Sequence, residues 1–306
     1  MRGFALLAAL LLVGSASGAR RAAGLPLIGL AVDEGKGGVE LRSLDGAVLR
    51  RLAGSRLDGL GVAVPGVSVL RDRNGRRWVL DGSEGLRAAP AGIPLRPGTT
   101  LSFGRVWSVR RGDRVLWRAR ARDGLPNVSQ DRGVVSVRGR ALDVRTGRFV
   151  ALPQGCAATD RRAQRWILLC DGRSYAPQRI ELWSGGRRRL LAAKPFRGGV
   201  GHWIRALLSP DGERVLAQWS AECEVPIAFL GSVHGPLRAV AAHGRDVPTS
   251  GGLGWTRGGQ AVVELPEGAC GGSVARPGVY LVAADGRLRL AVAIRGIRTR
   301  VALWGD

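Results

Sequence analysis

Only three histidines occur in this 306-residue chain, and its lysines are Lys36 and Lys194 alone. The four cysteines, Cys156, Cys170, Cys223 and Cys270, form no Cys-x-x-Cys pair. So few donors at such spacing leave no basis for a zinc site. A Gly-x-Ser-x-Gly elbow is missing, which removes the usual serine-hydrolase signature. Gly59-Leu60-Gly61 lacks the third glycine and the strand-turn-helix setting of a dinucleotide loop. Beyond Val13 no apolar run is long enough to cross a bilayer, which takes roughly 20 residues. Apolar residues at helical spacing are also hard to find, so an α-helical core is excluded.

What is present begins with a leader. Met1-Arg2 is followed by an apolar run from Phe4 to Val13 and the small residues Gly14 to Ala19. This is the layout of a secretory signal peptide spanning 1–19, cut after Ser17-Gly18-Ala19. The expected location is therefore extracytoplasmic, secreted or in the cell envelope. The formal charge is +23, from 47 basic and 24 acidic residues. Nearly all the basic residues are arginine, spread along the whole chain, and 47 residues are glycine. That distribution reads first as a solvated surface and a composition effect. Its functional reading is attraction to anionic envelope polymers. An exported chain does not meet DNA or RNA, so nucleic acid is set aside as a partner.

Short β-type runs punctuated by glycine turns fill 25–306, read as one all-β domain. They recur at about 40–50 residues, the period of propeller blades. The clearest unit pairs Trp203–Leu208 with Arg214–Trp219 across Ser209-Pro210-Asp211-Gly212. Units start near 25, 60, 100, 154, 200 and 250, which predicts a six-bladed β-propeller. The carboxyl-terminal strand Arg300–Trp304 would complete the first blade and close the ring, removing exposed sheet edges. A seven-bladed ring is the alternative and requires dividing the stretch 100–153. A pair of β-sandwiches ranks third.

The Ser209-Pro210-Asp211-Gly212 turn before an apolar strand resembles the repeat of the TolB-type propellers. The hairpin Val279-Tyr280-Leu281-Val282-Ala283-Ala284-Asp285-Gly286 is similar to that family's second hairpin. The resemblance implies a turn between the first two strands of a blade and a six-bladed ring. Other units depart from the motif, as at Arg257-Gly258-Gly259.

The repeat places Cys223 and Cys270 in equivalent loops of adjacent blades, which predicts one disulfide between them. Cys156 and Cys170 flank a turn, which predicts a second, cross-strand disulfide. Loops after first hairpins and between blades carry many of the polar groups. Asp123, Asp131, His202, Glu222, Glu224, His243, Arg245, Asp246 and Glu267 are therefore the candidate binding residues. A structural cation such as calcium is the one inorganic ligand such converging oxygens would suit; no other cofactor is expected. The leading reading is a monomeric, non-enzymatic binding or scaffolding propeller contacting a protein or an anionic envelope polymer. The alternative is a lyase or glycan hydrolase acting through carboxylates at the channel mouth.

Overall fold

The computed structural model describes residues 28–58, 66–81, 85–89, 92–102, 105–120, 126–171, 177–195, 201–221, 226–240, 251–265, 276–294 and 299–305. All the regular structure among them is β. The leader 1–19 lies outside the described residues.

Strand formation follows local composition. Runs such as Arg165–Asp171 and Ala261–Leu265 are rich in branched and aromatic side chains that suit a pleated surface. They group into seven sheets of four strands each. Blade 1 contains Ile28–Asp33, Gly38–Arg42, Val48–Ala53 and, from the far end of the sequence, Arg300–Gly305. Blades 2 to 7 follow in order over 56–88, 93–120, 127–151, 156–192, 201–239 and 251–293. The ring is therefore seven-bladed, the alternative reading of the repeat. The six-unit count is corrected because the stretch 100–153 belongs to two blades: its first part completes blade 3 and Asn127–Ala151 makes blade 4.

Hydrophobic burial explains the ring. Each blade is apolar on both faces and meets a neighbour on each side. One core cluster joins blades 1 and 2, another blades 2, 3 and 4, and further clusters join 4 to 5, 5 to 6 and 6 to 7. A last cluster, with Leu30, Val279, Leu281 and Leu303, joins blade 7 back to blade 1. The outermost strand of a blade is more exposed than the innermost. Gly251–Trp255 is mostly buried, whereas Arg187–Ala192 is mostly exposed.

The terminal strand takes the innermost place of blade 1, as expected from the sequence. It pairs antiparallel with Ile28–Asp33, from Ile28 opposite Gly305 to Asp33 opposite Arg300. Gly29 faces Trp304 in that register, and the indole lies where a Cβ on residue 29 would project. Glycine is needed there for close approach.

The chain reversal between first and second strands recurs on one face of the disc, here termed the turn face. In blade 6, Ser209 and Gly212 close it, with the Gly212 amide donating to the Ser209 carbonyl at 2.8 Å. Gly212 has φ 74°, which a β-carbon would strain. Arginines at the start of second strands tie neighbouring blades together at this level. Arg165 of blade 5 donates to the Gly212 carbonyl at 2.9 Å, and Arg214 of blade 6 donates to the Gly259 carbonyl of blade 7.

The predicted Cys156–Cys170 disulfide is present. The two residues are register partners on the first two strands of blade 5, with Cα atoms 4.0 Å apart. The Asp171 amide donates to the Gly155 carbonyl just outside them. This marks the cysteines as a non-hydrogen-bonded pair, the position where facing side chains come closest. Cys223 and Cys270 lie outside the described residues.

Candidate anion site at the channel mouth

The turn face carries a cavity of about 770 Å³ at the mouth of the central channel, within the size range of small-molecule sites. Its walls come from blades 2 to 7. Arg87 is contributed by blade 2, and Pro94 to Thr100 with Gly112 by blade 3. Gln130, Asp131 and Arg132 come from blade 4 and Arg162 from blade 5; Pro210 of blade 6 and Trp255 to Arg257 of blade 7 complete the ring. Among the described residues, five arginines and one carboxylate are thus gathered around a single concavity. Low-dielectric walls focus such a field toward the opening.

Local structure aims these groups. Arg96 and Arg162 are the last residues of the innermost strands of blades 3 and 5. Asp131 sits in the tight turn of blade 4 between them. Its Oδ1 accepts from the Ser129 hydroxyl at 2.6 Å and the Gly133 amide at 2.9 Å. Its Oδ2 lies 2.9 Å from Arg96 Nη2 and 3.8 Å from Arg162 Nη1. Two guanidinium groups from different blades therefore converge on one carboxylate oxygen. Arg132, in the same turn, is buried and has φ 56°.

The floor is built by inter-blade hydrogen bonds. The Gln130 carboxamide donates through Nε2 to the Trp255 carbonyl at 2.8 Å and accepts from the Trp255 amide at 3.1 Å. Both residues are buried. Beneath Arg162, the fully buried Asp160 accepts three amides: Gln130 at 3.3 Å, Arg161 at 2.9 Å and Leu208 at 2.8 Å. It ties blades 4, 5 and 6 at one point. Burial pushes its carboxyl up to about 6, opposed by Arg162 and the Leu208 amide. The Thr159 hydroxyl donates to the Ala206 carbonyl at 2.6 Å, and Trp255 Nε1 to the Leu207 carbonyl at 3.2 Å. The floor is polar but hydrogen-bonded, as a buried network must be.

Of the candidate residues read from sequence, Asp131 lines this cavity. His202 is exposed at the start of the innermost strand of blade 6, the end remote from the Ser209 turn. The structure does not bring these two together. Asp123, Glu222, Glu224, His243, Arg245, Asp246 and Glu267 lie outside the described residues. Sequence reasoning missed Arg96, Arg162, Gln130 and Arg257. Their signal was position at the end of an innermost strand or in the turn after it. Among the described residues, metal-ligating atoms converge only at Cys156, Cys170 and Glu181. The disulfide consumes both sulfurs, so that group has no thiolate to offer a metal.

No family model matches this chain, and no curated protein sequence matches it. Among solved structures it is similar to TolB from Acinetobacter baumannii, at 15% identity and TM-score 0.45. That match covers 78% of this chain and 65% of the TolB chain, so this chain spans less than two thirds of its length. It is also similar to an oligogalacturonate lyase from Vibrio parahaemolyticus, at 9% identity, TM-score 0.47, and 76% and 77% coverage. A third likeness is to prolyl oligopeptidase B from Galerina marginata, at 10% identity and TM-score 0.44, covering 77% of this chain and 40% of that one. Assignment of the fold rests on the seven sheets themselves.

Proposed function

We propose that this chain is an extracytoplasmic, non-enzymatic binding propeller that recognises acidic groups of a protein or envelope polymer at the turn-face cavity. The observation that carries this reading is the convergence of Arg96 and Arg162 on one oxygen of Asp131. Guanidinium groups present forked donors that match carboxylate and phosphate oxygens, and a cavity holding five of them attracts anions. The disulfide suits an oxidising compartment, and the apolar leader suits export.

Binding is favoured over turnover by the state of the carboxylate. Asp131 is engaged by a hydroxyl, an amide and two arginines, which leaves it poorly placed as a general base. Retention on an immobilised acidic polysaccharide tests the reading. Arg96→Ala with Arg162→Ala should weaken retention about tenfold at fixed low salt, since each lost charge-assisted contact counts strongly. Retention that collapses with salt but ignores these substitutions would indicate nonspecific coating. The enzyme reading is tested separately by alanine at Asp123, Asp131, Glu222 and Glu267, which would abolish turnover and leave the fold intact.

A further inference from the structure

Resting on the binding role just proposed, we infer that the cavity takes a compact polyanion, or the free end of an anionic chain, and does not let a chain pass through the ring. Closure of the channel beneath the cavity carries this inference. Gln130 of blade 4 and Trp255 of blade 7 are three blades apart, yet two hydrogen bonds join them directly. Other blades reach the same point. A Cβ placed on Gly254 would lie 2.9 Å from Leu303 of blade 1 and 3.4 Å from the Gln130 carboxamide oxygen. Gly66 of blade 2 meets the Gly305 backbone there, the Gly305 amide donating to the Gly66 carbonyl at 2.9 Å. Among the described residues, groups from blades 1, 2, 4 and 7 thus meet beneath the cavity, bridged by the Gln130–Trp255 and Gly305–Gly66 hydrogen bonds. The cavity is a blind funnel.

The walls specify the occupant's chemistry. Arg96 and Arg162 form one anion-accepting point, held together by Asp131, which lines the cavity beside them. Arg257 stands on the wall contributed by blade 7 and brings a second guanidinium to the cavity. Two cationic points on separate walls select a ligand with at least two acidic groups over a single anion. Thr99, Thr100 and Thr256 also line the cavity. Phosphate and carboxylate oxygens share the chemistry these groups recognise.

Calorimetric titration of the full chain with inorganic phosphate, tripolyphosphate, citrate and long linear polyphosphate tests the inference. Tripolyphosphate should bind one to one and at least tenfold more tightly than inorganic phosphate. Affinity per chain end should stay unchanged as the polyphosphate lengthens. Arg96→Ala and, on the separate wall, Arg257→Ala should each weaken tripolyphosphate about tenfold, with unchanged melting temperature showing that the fold is kept. Tighter tripolyphosphate than citrate assigns phosphate; the reverse assigns carboxylate; either supports the funnel. If the number of proteins bound per polyphosphate grows with its length, end recognition is overturned while anion binding stands. If none of the four probes binds, the binding role falls with it.

Discussion

The side chain of Gln130 pairs with the backbone of Trp255 as a neighbouring strand would, giving one hydrogen bond and taking another across the channel mouth. A primary amide suits this task because it carries donor and acceptor side by side. Both partners are buried, so truncation leaves an amide and a carbonyl without water to replace the lost bonds.

Gln130→Ala should therefore destabilise the protein by about 2–4 kcal/mol, the cost of orphaning two buried polar groups. Urea unfolding of the two proteins measures it. Gln130→Glu should be worse at neutral pH than at pH 4, because a carboxylate offers no donor to the Trp255 carbonyl and repels it.

Reduction of Cys156–Cys170 should lower stability by about 3 kcal/mol, the value expected for closing a loop of this length. The separation is 14 residues. Thermal melts with and without reductant, compared with the Cys156→Ala, Cys170→Ala double variant, check this. The double variant should melt near the reduced wild type and ignore reductant.

Asp160 makes stability depend on pH in a defined direction. Burial raises its carboxyl from 3.8 to about 6, so the folded state holds the proton more tightly than the unfolded one. Its contribution is complete below 3.8 and is lost as pH rises through 6. Relative to Asp160→Asn, the wild type should lose about 2 kcal/mol between pH 4 and 7, because the folded and unfolded carboxyls titrate at such different pH. Glu264, raised from 4.5 to about 7 by burial, acts in the same sense. Glu264→Gln should therefore raise the melting temperature at pH 8 and change it little at pH 5.

Gly29→Ala should cost about 1–3 kcal/mol, because the new methyl group enters the space of the Trp304 ring and overpacking is resisted. Adding Trp304→Leu should recover part of that loss. Melting temperatures of the two single variants and the double variant give the coupling.

Much of the fold was legible because glycine turns between apolar runs mark hairpins at close range. The terminal-strand closure and the Cys156–Cys170 pair were both readable from spacing. Blade 4 was hidden for a physical reason. Its turn, Ser129-Gln130-Asp131-Arg132, has the bonding of Ser209-Pro210-Asp211-Gly212. In each, the serine hydroxyl donates to the aspartate two residues on, and the fourth residue's amide donates to the serine carbonyl. Arg132 stands where glycine marks the other turn, and takes a left-handed conformation uncommon for a side-chain-bearing residue. Its innermost strand, Asn127–Val128, is only 2 residues long and gives almost no pattern. The cavity was illegible for a related reason. Asp131 was read among the loops after first hairpins and between blades, not in a first turn, and Arg96 and Arg162 were indistinguishable among so many arginines. Some of those, such as Arg165 and Arg214, clasp one blade to the next.

The strand Arg300–Gly305 also sets a timetable. The ribosome makes it some 270 residues after its partner Ile28–Asp33. Blade 1 cannot be completed, and blade 7 cannot be sealed against it, until translation has passed residue 305. Contacts this distant in sequence form slowly. The nascent chain therefore stays an open arc until that strand has been made and can reach Ile28–Asp33.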